Sequence, residues 1–140
     1  AIAAVGYKTL NKPIGALVAE PQEATITLRV RGAMPYLVSE ILKDATEGTQ
    51  LVSGSDYVDS FVVNASAVPY VYSTVLPDGR GVEVTDPTKQ DVLITLTAKG
   101  YEKDPILKIG SQEVRIGRGY TFKTNRLEIE SIVETVSFHG

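Results

Sequence analysis

The chain has 140 residues, a hydrophobic share of 43% and a formal net charge of −3. That is enough for one domain with a real core, and the interspersed, slightly acidic charge excludes the basic stripe that nucleic acid requires. The absence of cysteine removes disulfides, zinc–thiolate sites, iron–sulfur clusters and thiol nucleophiles together.

Residues 1–23 read as a low-charge leader carrying Gly6, Pro13, Gly15 and Pro21, and residues 24–140 as a single globular domain. Prolines this frequent argue against one long helix. The leader's apolar side chains, Ile2, Val5, Tyr7, Leu10, Ile14, Leu17 and Val18, are candidate subunit contacts. Fully extended at ~3.3 Å per residue, the leader reaches ~75 Å, far enough to touch a neighbouring subunit. The apolar start is too short to span a bilayer, which takes ~20 residues, but it also suits the end of a membrane anchor lying upstream of Ala1.

Ala24–Arg31 alternates Ile26, Leu28 and Val30 with Thr25, Thr27, Arg29 and Arg31, the period of a half-buried strand. Arg29 and Arg31 are expected on a solvated outer face, and Gly32 is expected to end the strand. Met34–Ala45 is the single helical pattern, with Leu37, Val38, Ile41 and Leu42 at helix spacing, Pro35 in the first turn and Gly48 as the closing residue. Gln50–Ser53 is a short strand. Tyr57–Val68 is a longer one whose apolar phase slips, which predicts a bulge. Pro69 is expected to separate it from Tyr70–Leu76. Pro77-Asp78-Gly79 marks a turn into a hairpin partner at Gly81–Thr85. Asp86-Pro87 then leads into Asp91–Lys99, the expected central strand, apolar on one face and partly so on the other through Leu93. Ile106–Ile109 and Glu113–Ile116 form a second hairpin around Gly110-Ser111-Gln112. Tyr120–Lys123 and Leu127–Phe138 close the chain. The last strand slips phase near Ser131–Glu134, with Ile132, Val136 and Phe138 expected together on one side. The fold expected is mainly β: a curled antiparallel sheet, partly open barrel or sandwich, with one short covering helix over about residues 34–45.

The run from Pro77-Asp78-Gly79 through Asp91–Thr95, then Leu107–Gly117 and Tyr120–Thr124, resembles a bacterial domain family of unknown function, DUF4330. Arg29-Val30-Arg31-Gly32 and the helix after it also fit, whereas Gly54–Asp59 departs from the family's usual Gly-Asp-x-Val turn. The resemblance implies a short cytoplasmic start, one membrane-spanning segment and a β-rich extracytoplasmic domain. Ala4–Leu10 resembles the end of such a segment. No catalytic residues come with the resemblance.

Chemistry is sparse. The single histidine, His139, stands next to the last residue, where a solvated end is the ordinary role. With no cysteine, this nearly excludes transition-metal sites, and no Gly-x-Ser-x-Gly elbow presents a nucleophile. Asp56, Asp59, Asp78, Glu83 and Asp86 lack the spacing of a calcium loop and suit turns better. The glycine-rich Gly117-Arg118-Gly119 does not lie between a strand and a helix, as a phosphate loop would. Asn64-Ala65-Ser66 is a glycosylation sequon, which makes Asn64 a candidate modification site. The expectation is a non-enzymatic extracellular or cell-surface subunit without a cofactor. It would form a homo-oligomer or polymer by lending its leader to a neighbour's sheet. The alternative is a membrane-anchored binding or scaffold module.

Overall fold

Alternating apolar residues make Gln22–Ala33 a strand, β1, whose Ala24, Ile26, Leu28 and Val30 are buried. A computed structural model describes residues 21–139 of the chain. The candidate contacts Ile2, Val5, Tyr7, Leu10, Ile14, Leu17 and Val18 lie outside the described residues. After β1 come a helix, α1 (Pro35–Asp44), and strands β2 (Gln50–Ser53), β3 (Asp56–Val75), β4 (Gly81–Gly100), β5 (Leu107–Ile109), β6 (Gln112–Val114), β7 (Gly119–Lys123) and β8 (Glu128–His139).

Among the described residues six strands form one antiparallel sheet in the order β2-β3-β4-β1-β8-β7, and β5 pairs with β6 alone. The expected central stretch, Asp91–Lys99, does lie inside the sheet, between β3 and β1. The sheet curls until its edge strands β2 and β7 come close, so the architecture is a nearly closed antiparallel sheet. The β5–β6 hairpin bridges the seam. Gly110 packs on Ser53 and Val58 at one side, while Gln112 pairs with Thr121 of β7 at the other. Inside lie Leu51, Val62, Ile94, Leu96, Phe122 and Val133.

Helix α1 covers the sheet with Val38 and Ile41 buried. Pro35 opens it, where its missing N–H costs nothing. Asp44 meets the Thr124 hydroxyl, and Arg126 reaches both Asp44 and Glu40. Gly48 does not close the helix. Ala45 is the C-cap, donating to the Ile41 carbonyl, and Gly48 donates to Val62 of β3.

Other departures concern continuity. Pro69 lies inside one strand, β3, and Asp86-Pro87 inside another, β4. At Pro69, β3 is an edge strand among the described residues, where an outward-facing proline nitrogen forfeits no ladder bond. The sheet absorbs the mismatch as bulges. Pro69 pairs with Gln90 but Tyr70 with Asp86, so Pro87, Thr88 and Lys89 loop out of β4. Gly32 does not end β1 but forms a second bulge with Arg31, at φ +60°. A third lies in β8: Thr27 pairs with Thr135 and Leu28 with Val133, which leaves Glu134 as the extra residue. The slip expected near Ser131–Glu134 is therefore real, but Ile132 falls on its outer side. Ile132 is exposed and Val133 is buried in its place.

Candidate strand-addition surface

β4 is 20 residues long and β1 only 12. β1 stops at Ala33, opposite Gln90. Beyond that point, among the described residues, Tyr70–Val75 of β3 and Gly81–Asp86 of β4 pair only with each other, as a two-stranded ribbon closed by the turn at Pro77–Gly79. Six paired residues at ~3.4 Å each carry the ribbon ~20 Å past the sheet. The expected hairpin between Leu76 and Gly81 is its tip. Leu76 N–H donates to the Arg80 carbonyl there, and Gly79 N–H to the Leu76 carbonyl.

The root is fastened from several sides. Tyr70 lies over Gly32, where a Cβ would come within 3.3 Å of its ring. The Arg31 guanidinium sits 5.2 Å from the ring centroid and the Lys89 ammonium 6.0 Å. Tyr72 stacks on Tyr70 at 6.0 Å. Beneath them Asp91 is buried. It accepts from Arg29 Nη1 at 2.6 Å and from the Gly32 N–H at 2.8 Å, with Arg31 Nε at 3.4 Å. Arg29 also pairs with Glu134, the residue pushed out by the β8 bulge. Hydrogen bonds to Glu134 and then Asp91 raise the Arg29 pKa above its already high ordinary value. Arg29 is thus half-buried between two carboxylates, and the fully solvated face expected for it is corrected. Four charges meet at the joint because bulges in β1 and β8 turn them toward one another.

Among the described residues the ribbon itself has little to cover it. One face carries Tyr70, Tyr72 and Thr74 with Val82 and Val84; the other carries Val71, Ser73 and Val75 with Glu83 and Thr85. Val71 and Tyr72 are 40% and 39% exposed and Val75 is 70% exposed. A two-stranded hairpin is at best marginally stable by itself.

Its two edges differ. The β4 edge carries Glu83, Asp86, Pro87 and Lys89, the residue types that keep strands from adding. On the β3 side no charge occurs from Ser60 to Pro77. Among the described residues the last backbone partners of that edge are Gly48 and Thr49 at Val62, and no strand pairs with Val63–Val75 from outside. The β7 edge shows what a protected edge looks like here. The Gln112 amide both donates to and accepts from the Thr121 backbone at 2.8 Å, occupying the positions an added strand would take. Sequence reasoning missed the β3 edge, although its signal, a run of uncharged β-formers, is present; the break expected at Pro69 hid its length.

The other candidates resolve into local roles. Asn64 is exposed on β3, opposite Thr95, within the open edge. His139 is exposed, its Nε2 lying 2.6 Å from the Thr25 hydroxyl. Asp78 is held below the usual carboxylate range by the Arg80 N–H and then its guanidinium, and Asp86 by the Thr88 N–H and then its hydroxyl. These are turn and bulge contacts, and Asp59 faces Lys99 at 3.6 Å. Among the described residues no group of three or more His, Asp or Glu side chains is placed to hold a metal ion. An open groove of about 240 Å³ between β2 and β7 is lined by Lys123, Thr124, Arg126 and Glu128 among others. Two of these side chains, Thr124 and Arg126, already bond Asp44.

The family model for a domain of unknown function, DUF4330, matches residues 1–137. The chain belongs to the DUF4330 family. No curated protein and no solved structure matches it.

Proposed function

We propose that this DUF4330 member is a non-enzymatic, extracytoplasmic assembly subunit that joins its neighbours by strand addition along the outer edge of β3. One observation carries the reading: Val63–Val68 and Tyr70–Val75, on either side of Pro69, are uncharged and unpaired by any described strand, while β7 is capped by a side chain. Edge strands of this kind add other strands unless charge, bulge or cover prevents it. The proposed location outside the cytoplasm rests on the plan that the sequence resemblance implies. Two of the candidate acids, Asp78 and Asp86, are engaged by neighbouring donors in a turn and a bulge, which supports a non-catalytic role.

The test is sedimentation velocity and negative-stain microscopy of the full chain beside Ser66→Lys/Val71→Lys, which charges both segments of the edge. The full chain should form assemblies larger than the monomer, and the double variant should not. Equal assembly by both proteins, or by neither, refutes the reading. A third sample lacking residues 1–20 asks whether the leader is the added strand; if it is, that deletion alone abolishes assembly.

A second reading, the membrane-anchored binding module, is favoured by one piece of geometry. The leader joins β1 at Gln22, opposite Gly100, whereas the ribbon tip lies past Gly81 at the other end of β4. With Pro87, Thr88 and Lys89 looped out, about 16 ladder steps at ~3.3 Å separate those ends by ~50 Å, so a domain held by its leader presents the ribbon outward.

A further inference from the structure

We infer that the occupant of the distal edge is the same ribbon of a second copy of this chain. Tyr70–Leu76 of the two copies lie antiparallel about a two-fold axis at Ser73 and form a four-stranded sheet. This rests on the strand-addition reading and names its partner and geometry.

The argument begins with charge. An added strand meets the β3 edge without an ion pair or a repulsion from β3 itself, so the best-matched occupant is itself uncharged. Tyr70–Leu76 is such a segment. A two-fold contact must be self-complementary, each residue meeting its mirror position. Centring on Ser73 sets Val71 against Val75, Tyr72 against Thr74 and Tyr70 against Leu76 in both directions. These are β-branched and aromatic pairs of the kind that stabilise antiparallel ladders. Only the β3 side qualifies, because a β4-to-β4 pairing would bring Glu83 and Asp86 of both copies together.

Access agrees with chemistry. The distal segment lies beyond the end of β1 and has no third strand on either side among the described residues. Two ribbons can therefore slide past one another with the domain bodies at opposite ends. Pairing converts each marginal two-stranded ribbon into half of a four-stranded sheet. It also covers part of Val71, Tyr72 and Val75, three of the exposed large apolar side chains. The geometry fixes direction as well. Antiparallel ribbons place the Gln22 ends of the two β1 strands at opposite ends of the dimer, so subunits anchored through the residues before β1 would bridge two facing surfaces.

The absence of native cysteine makes the register directly readable. The full chain is examined by sedimentation equilibrium, beside Val71→Lys/Val75→Lys and the single variants Ser73→Cys and Arg80→Cys. In the paired ribbon the double variant sets lysines opposite each other twice. The dimer dissociation constant should rise at least ~10-fold, since like charges in directly opposed pairs are destabilising. On mild oxidation Ser73→Cys should form a covalent dimer, because directly opposed residues bring Cα atoms to ~4.5–5.5 Å, within the ~4.4–6.8 Å that a disulfide spans. Arg80→Cys, at the exposed tip, should remain monomeric under the same treatment. Unchanged circular dichroism in each variant keeps loss of fold apart from loss of pairing. Assembly that survives Val71→Lys/Val75→Lys, gives no Ser73 crosslink and is lost with Ser66→Lys or on removal of residues 1–20 overturns the ribbon pairing and leaves strand addition standing. A full chain that is monomeric at about 100 μM, where contacts weaker than that value go unseen, overturns both.

Discussion

Replacing Asp91 with alanine removes the acceptor on which the ribbon's root converges. The carboxylate is 4% exposed and takes hydrogen bonds from Arg29 and from the Gly32 backbone, with Arg31 close by. Losing a charge-assisted bond to Arg29 costs ~1.5–3 kcal/mol, and leaving the Gly32 N–H without an acceptor costs ~1–3 kcal/mol. Arg31, half-exposed at 3.4 Å, adds ~0–1 kcal/mol. Glu134 still holds Arg29, which keeps the first term near its lower end. Asp91→Ala should therefore destabilise the domain by about 2.5–5.5 kcal/mol. Asp91→Asn retains an acceptor for Gly32 and should cost less, ~1–2 kcal/mol. Urea unfolding followed by circular dichroism measures both, with an unchanged m-value showing that only stability moved. A loss below ~1 kcal/mol for alanine, or asparagine as damaging as alanine, would mean that the root is not held by this carboxylate.

Gly110→Ala should cost at least ~2 kcal/mol, because it combines a positive φ with a Cβ only 2.5 Å from Ser53. Gly79→Ala, with positive φ but open space, should cost ~1 kcal/mol; equal losses by chemical denaturation would show that the seam is not tightly closed. Asp78 and Asp86 have folded pKa values below the ordinary one, so their stabilisation is full above about pH 4 and lost as pH falls through the lower folded values. The fall in melting temperature below about pH 4 should be shallower in Asp78→Asn/Asp86→Asn, and an identical pH profile counts against these contacts. Burial raises the Tyr120 pKa, so the folded state holds it neutral and loses stability as pH rises past about 10, where the unfolded phenol ionises. Alkaline unfolding of Tyr120→Phe should begin at higher pH than in the parent, and a coincident onset would refute that role.

How much was legible follows from the reach of each interaction. The buried face of β1, the helix, the turn at Pro77–Gly79 and the slip in β8 are properties of neighbouring residues, and local periodicity exposes them. Pro69 and Pro87 misled for the same reason: proline's restraint is local, but whether it breaks a strand depends on what lies beside that strand. Ile132 shows the limit within one element. A slip can be seen in the pattern, but which residue bulges is decided by the register against β1, and that choice buried Val133.

The sequence by itself determined a cysteine-free, mainly β domain with one helix, its main turns, and a run from Ser60 to Pro77 without charge. Tertiary structure alone decided that Val63–Val75 within this run is an open edge among the described residues, that β1 ends early enough to leave a ribbon projecting, and that Arg29, Asp91 and Glu134 meet at the root. Alternation says which face of a strand is wet. Only strand order and length say which strand lies next to it, because pairing joins residues tens of positions apart whose meeting leaves no mark on the local pattern.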